Sequence, residues 1–312
     1  MKHYLSIQDI DTLPAWVDEA QQLKKDPTAH KHLGGGKTIC LLFFNNSLRT
    51  RLSTQKAALN LGMDVLVMNF GSEGWQLEFG DGVVMDQGKS EHIKEAAQVV
   101  SQFCDIVAIR AFASLADKEK DEAEIVLNGF MKYASIPVVN MESSVGHPLQ
   151  ALADAITLEE HRIKSRPKVV LSWAPHPKAL PHAVANSFVE MMALQEADFV
   201  ITHPKGYELN PAITQGIPIE YDQKKALHNA DFVYVKNWSS YTEYGKILSQ
   251  DPEWMMTSKK LGDAKFMHCL PVRRNVVVED AVLDGAQSLV IEQANNRTYA
   301  AQLVLKKILE TK

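Results

Sequence analysis

Short apolar runs alternate with longer stretches in which apolar residues recur at helical spacing, and the alternation continues to the carboxyl end of the chain. The apolar runs predict strands at Thr38–Phe44, Val65–Phe70, Ile106–Ile109 and Pro137–Asn140. Amphipathic segments at Leu48–Leu61, Glu91–Phe103 and Asp121–Ala134 separate them. A first helix is predicted from Asp11 or Thr12 to about Lys25, with Pro14 in its opening turn. After a helix at Pro148–His161, a second series of strands is predicted at Lys168–Trp173, Phe199–Thr202, Phe232–Val235, Phe266–Cys269 and Leu289–Glu292, followed by a last helix over roughly Arg297–Leu309. This rhythm implies an α/β protein with mainly parallel sheets. Two lobes joined near residue 150 suit it better than one very wide sheet, because wide open sheets are uncommon.

Composition narrows the partners. The chain has 312 residues, 46% hydrophobic and 23% charged, with a formal net charge of −5, which gives no support to broad binding of nucleic acid or of anionic membrane. Cys40, Cys104 and Cys269 form an odd set without metal-type spacing and read as reduced thiols in a cytoplasmic protein. Neither a secretory leader nor a membrane span is legible. No metal or cofactor is expected, and small molecules or other protein chains are the expected partners.

Ligands of open parallel sheets bind beyond the carboxyl ends of the strands. SLRTR follows the first predicted strand, Arg110 the third, and His147 the fourth; His176 and Lys236 follow strands of the second lobe, and Cys269 ends another. The polar groups of both lobes are therefore expected to face one cleft.

In SLRTR, Ser47 is a good N-cap, and Leu48, Arg49, Thr50 and Arg51 would form a first turn whose free N–H groups and dipole favour an anion. Guanidinium groups add paired donors that match phosphate oxygens. The same residues equally fit a capped helix whose arginines are solvated or bridge carboxylates. HPLQ, His147 to Gln150, sets an imidazole and an amide on one face of another helix start, within reach of one carbonyl or amide group. Two motifs mislead. In HCLPVRRN, the arginine that a cysteine phosphatase loop needs six positions after Cys269 is replaced by Asn275. In GGGKT, the glycine that a P-loop needs is Lys31, and the segment precedes its strand.

SLRTR, Arg110, HPLQ, HCLPVRR at His268–Arg274, and Arg297 opening the last helix together resemble the aspartate and ornithine transcarbamylase family along essentially the whole chain. The resemblance implies a transcarbamylase-like fold of two lobes. Residues 1–150 would bind carbamoyl phosphate, residues 151–296 the acceptor amine, and a final helix at 297–312 would cross back. It implies that Ser47, Leu48, Arg49 and Thr50 hold the phosphate and that Arg110, His147 and Thr50 polarise the carbamoyl oxygen. Gln150 and the Leu270 carbonyl would bind the carbamoyl nitrogen, with Cys269 beside the reacting centre and Arg297 near the phosphate. Family active sites take a residue from the neighbouring subunit of a trimer, and Trp75 in GSEGWQLE stands where the acyl-ornithine branches carry a tryptophan.

The acceptor region departs from true ornithine enzymes. Val235–Tyr241, VKNWSSY, carries Lys236 and Asn237 in place of an acid and lacks Ser-Met-Gly, which disfavours a free ammonium and favours a carboxylate or an acylated amine. WAPHPKALPHAVANS, Trp173–Ser187, also resembles the acyl-ornithine branches. Ser90 stands where the acetyl branch has glutamate and the succinyl branch proline, and Val277 stands where the acetyl branch has lysine. Absence of a carboxylate at Ser90 favours a succinyl tail, so N-succinylornithine is the expected acceptor, with N-acetylornithine as the alternative. Glu142, His176, Lys236, Arg273 and Ser90 would bind it, Glu142 directed toward the amine end.

Overall fold

A computed structural model describes residues 1–70 and 72–311. Gly71, which opens GSEGWQLE, and Lys312, which ends the predicted final helix, lie outside the described residues. Among those described, the chain runs α1 (Leu13–Lys25), β1 (Thr38–Phe43), α2 (Leu48–Asn60), β2 (Asp64–Asn69), β3 (Leu77–Glu78), β4 (Glu91–His92), α3 (Ile93–Phe103), β5 (Ile106–Arg110), α4 (Lys118–Glu122), α5 (Ile125–Tyr133), β6 (Val138–Glu142) and α6 (Pro148–His161). It continues through β7 (Lys168–Trp173), α7 (Ala183–Met192), β8 (Asp198–Thr202), α8 (Pro211–Thr214), β9 (Ile219–Glu220), α9 (Gln223–Leu227), β10 (Phe232–Lys236), α10 (Ser258–Leu261), β11 (Lys265–Met267), α11 (Asp280–Leu283) and α12 (Val290–Glu310).

Two compact units result. One comprises Met1–Ser114, Glu119–Leu149 and Arg297–Lys312; the other comprises Leu115–Lys118 and Gln150–Asn296. The first contains a parallel sheet in the order β2-β1-β5-β6, the second a parallel sheet in the order β11-β10-β7-β8-β9. Strand order reverses between β1 and β5 in the first sheet and between β7 and β10 in the second. Loops leaving neighbouring strands diverge at such points and open a crevice, so the polar segments after β1, β5, β7 and β10 stand where ligands of this architecture bind.

The first core packs Cys40, Leu42, Ala97, Val107, Phe130 and Val138 between sheet and helices. The second packs Val170, Val233, Val235, Phe266, Val278 and Val282. The glycines of GGGKT serve the turn into β1: Gly34 donates to the Leu61 carbonyl at 2.9 Å, and a Cβ on it would lie 2.6 Å from that oxygen.

Several expectations are corrected. Leu289–Glu292 is not a strand: the N–H of Gln293 bonds the Leu289 carbonyl at 2.8 Å and α12 begins at Val290. The burial of Val290, Gln293, Arg297, Ala300, Val304 and Ile308 shows the helical period that the short apolar run concealed. Arg297 therefore lies inside the last helix rather than opening it. The fifth strand of the second sheet is instead Ile219–Glu220. Asp121–Ala134 is broken at Glu124, whose φ of 44° ends α4 before α5 begins. The helix expected from Glu91 starts at Ile93, because His92 caps it by accepting the Lys94 N–H and pairs with Glu78 beforehand. β11 stops at Met267, where the His268 N–H turns from the sheet to the Gln293 side chain at 2.9 Å; Cys269 thus follows the strand rather than ending it. Arg110 and Lys236 are the last residues of β5 and β10, not the first residues beyond them.

Candidate active site

The first unit gathers its chemistry after β1, β5 and β6. Ser47 is the N-cap of α2, in extended backbone conformation, and its hydroxyl accepts the Thr50 N–H at 3.3 Å. The remaining N–H groups of the first turn and the positive end of the helix dipole give this turn its affinity for anions. Leu48 is solvent-exposed, Arg49 half-buried and Thr50 buried.

Arg110 braces that turn. Its Nη1 donates to the carbonyls of Asn45 at 2.7 Å and Asn46 at 3.0 Å, the residues just before the cap. Its Nε and Nη2 converge on Glu142 Oε2 at 3.0 and 2.9 Å. The fork geometry of guanidinium thereby fixes the loop from one side, and the ring of Phe112 lies 4.7 Å from its centre on another. Glu142 Oε2 also stands 3.7 Å from His147 Nε2. Arg297, reaching in from α12, donates through Nη2 to Thr50 Oγ1 at 2.6 Å and lies 3.4 Å from His147 Nε2. Thr50, Arg110, His147 and Arg297 are all more than nine-tenths buried. Guanidinium groups set this deep beside the N-terminus of α2 suit an added anion. Sequence alone directed Glu142 toward an amine; in the structure its carboxylate accepts from Arg110.

Trp75 and Ser90 share the short β3–β4 element. The Trp75 indole N–H donates to Glu91, and the Ser90 N–H bonds the Gln76 carbonyl at 3.3 Å. Both side chains are exposed. Glu78 anchors the loop by accepting the N–H groups of Phe79 and Gly80 and the Lys89 ammonium; led by the Gly80 bond, these lower its pKa to about 2.

The second unit offers a different set. Lys236, buried, ends β10 in register with Trp173, and Asn237 Nδ2 donates to the Ala174 carbonyl at 2.9 Å. His176, after β7, donates through Nδ1 to the Lys178 carbonyl at 2.9 Å, and Arg273 Nε donates to its Nε2 at 3.1 Å. Burial, then the charges of Arg273, Lys236 and Lys178, hold the His176 pKa below its ordinary value, opposed in part by the Lys178 carbonyl. This cationic group matches carboxylates, not ammonium. Gln150 and Cys269 are buried, and Leu270 is half-buried at φ 56° in the loop beyond β11. Val277, expected to bear on acyl choice, lies in the core of this unit beside Val278 and Val282.

Sequence reasoning missed Asp154 and Gln293, whose side chains hold Gln150 and the His268 backbone. The spacing of Gln150 and Asp154, four apart on one helix, was the available signal. Gln293 had none.

Residues 2–160 match the model of the aspartate/ornithine carbamoyltransferase carbamoyl-P binding domain, and residues 181–308 that of the Asp/Orn binding domain of the same family. The chain is 50% identical to N-succinylornithine carbamoyltransferase of Bacteroides thetaiotaomicron over 99% of each chain. It is 35% identical to N-acetylornithine carbamoyltransferase of Xylella fastidiosa over 98% of each. Among solved structures it resembles, at TM-score 0.92 and 33% identity over 99% of this chain and 100% of the other, an N-acetyl-L-ornithine transcarbamylase variant with a glutamate replaced by valine, complexed with carbamyl phosphate and N-succinyl-L-norvaline. With both domains matched and relatives aligned end to end, the chain belongs to the aspartate/ornithine carbamoyltransferase family and is a carbamoyltransferase.

Proposed function

We propose that this carbamoyltransferase moves the carbamoyl group of carbamoyl phosphate to the δ-amine of N-succinyl-L-ornithine, giving N-succinyl-L-citrulline and phosphate, a step of arginine biosynthesis. The observation that carries the reading is the buried convergence of Thr50, Arg110, His147 and Arg297 beside the capped start of α2. In the proposed reaction the turn Ser47–Thr50 and Arg297 hold the phosphate, and Arg110, His147 and Thr50 stabilise the negative charge that develops on the carbamoyl oxygen as the neutral amine attacks. The new C–N bond forms, the C–O bond to phosphate breaks, and the leaving phosphate takes the amine proton. Gln150 and the Leu270 carbonyl accept from the carbamoyl nitrogen, with Cys269 beside it.

The acceptor is argued from charge. N-succinylornithine carries two carboxylates and no free α-ammonium, and Lys236, Arg273 and the His176 between them offer cationic and N–H donors to such a molecule. The 50% identity to a named N-succinylornithine enzyme supports the succinyl group. Ser90 also supports it: without a carboxylate there, nothing at that position repels a succinyl tail, and a glutamate-replaced acetyl enzyme has been solved with a succinyl compound. N-acetylornithine is the second reading, favoured by the similarity to the acetyl enzymes. In this reading the unit holding β1–β6 binds carbamoyl phosphate and the other binds the acceptor. The protein acts in the cytoplasm as a homotrimer, with Trp75 serving the neighbouring site. Exposed Leu48, Leu52 and Leu59 on α2, with Leu66 and Met68 on β2, support such a subunit interface.

Phosphate release should require carbamoyl phosphate together with an acylated acceptor, and across ornithine, N-acetylornithine, N-succinylornithine and aspartate the succinyl compound should have the highest kcat/KM. Faster turnover of free ornithine would overturn the acceptor assignment. Ser90→Glu should lower the succinyl-to-acetyl ratio of kcat/KM by about tenfold or more, since one like charge opposite a desolvated carboxylate costs more than 1 kcal/mol. An unchanged ratio would remove Ser90 from the specificity argument.

A further inference from the structure

Asp154 lies on α6 four residues after Gln150, with no exposure to solvent. Its Oδ1 accepts two amide N–H groups, from Gln150 Nε2 at 2.7 Å and from Gln293 Nε2 at 2.7 Å. An ionised carboxylate only accepts, so each glutamine must turn its NH2 toward Asp154 and its carbonyl oxygen away. For Gln293 that oxygen takes the His268 N–H at 2.9 Å, and His268 Nδ1 in turn takes the Leu270 N–H at 2.8 Å. For Gln150 the oxygen Oε1 is buried with no hydrogen-bond partner among the described residues. An orphaned buried acceptor is costly unless something donates to it.

We propose that Asp154 is a positioning residue that fixes the polarity of the carbamoyl-nitrogen subsite. Resting on the carbamoyl transfer proposed above, it commits Gln150 to present an acceptor and, through Gln293 and His268, steadies the loop whose Leu270 carbonyl is the second acceptor. A carbamoyl NH2 has two N–H donors and meets two acceptors. A freely rotating Gln150 amide would offer its own NH2 in one of its two orientations and repel the substrate. Because both glutamines share Oδ1, an asparagine with its amide oxygen there would keep both bonds, whereas Asp154→Leu keeps the branched shape and leaves neither NH2 an acceptor.

D154L should lower kcat about 10- to 100-fold, with KM for the acylornithine within about twofold. The pair Q150E/D154L should recover at least about tenfold over D154L, because an acceptor-only side chain faces the carbamoyl nitrogen without needing Asp154 to orient it. D154L activity within about twofold of wild type in folded protein, or a pair no better than D154L, would overturn the assignment. Should D154L not fold, hydrogen exchange in the wild type decides. Wild-type turnover tests the function separately. In the event of none, slow hydrogen exchange of the Gln150 side-chain NH2 in 15N-glutamine-labelled wild type, accelerated in D154L, still reads its orientation; rapid exchange in wild type would sink the idea.

Discussion

Arg110→Ala should lower kcat for carbamoyl transfer about a thousandfold, because an oxyanion site that loses a preorganised donor commonly loses two to three orders of magnitude. Arg110 has a second task that deepens the loss. Its contacts to the Asn45 and Asn46 carbonyls hold the approach to Ser47, so truncation slackens the turn proposed to hold phosphate. It also takes from Glu142 the guanidinium its carboxylate accepts from, and breaking a pair this deeply set costs about 3 kcal/mol. Thermal unfolding must therefore accompany the kinetics. Glu142→Gln separates the two effects: it keeps an acceptor for the guanidinium and should cost far less turnover than R110A. Arg110→Lys keeps the charge but not the planar fork, cannot reach two carbonyls and Glu142 together, and should recover little. A folded R110A within about tenfold of wild type would end the assignment. A catalytically silent anion-binding subunit, the other class of protein this fold could serve, would show no turnover to lose in any of these variants.

Much of this arrangement is legible in the sequence, and the limits are physical. α6 begins and ends where the sequence placed it, since Pro148 suits a first helical position, and β7 is bounded by Lys168 and Trp173 as expected. Ser47 caps α2 as its side chain required. Local chemistry decided these elements, and local chemistry is what a sequence displays. Leu289–Glu292 went wrong because three apolar residues satisfy a buried strand and a buried helical turn equally, and only the continuation through Arg297 and Ala300 separates them. The candidate site divides the same way. Arg110, His147 and Arg297 could be named from their motifs, but the meeting of Arg297 with Thr50 spans 247 positions and that of Gln293 with Asp154 spans 139. Glu142 was named, but its contact with Arg110 could not be read, because that partner stands on the neighbouring strand β5, a pairing set by sheet topology. What could not be read was not the chemistry of single residues but which of them share one oxygen.

Lys236→Met should raise KM for N-succinylornithine about 100-fold, since truncating one partner of a desolvated charge pair costs 2 kcal/mol or more. Lys236 is suited to this role by its depth. It closes β10 in register with Trp173, is 9% exposed, and its strand neighbours Val233 and Val235 belong to the core, so the ammonium is held against low-dielectric surroundings where a carboxylate is worth most. Methionine keeps the length and apolar stem, so packing loss does not explain the change. KM for carbamoyl phosphate should stay within about twofold, because Ser47, Thr50 and Arg297 belong to the other compact unit and lose no bond. A second readout is independent of turnover. Lys236 is one of the cations that, after burial, hold His176 below the ordinary histidine value, so removing it must move the His176 titration upward, toward that value, in an NMR pH series. The sign is fixed: taking away a positive neighbour favours the protonated ring. Equal rises in both KM values would mean that Lys236 supports the fold as a whole, and an unmoved His176 would mean that the two side chains do not share one field; either result removes Lys236 from the acceptor site.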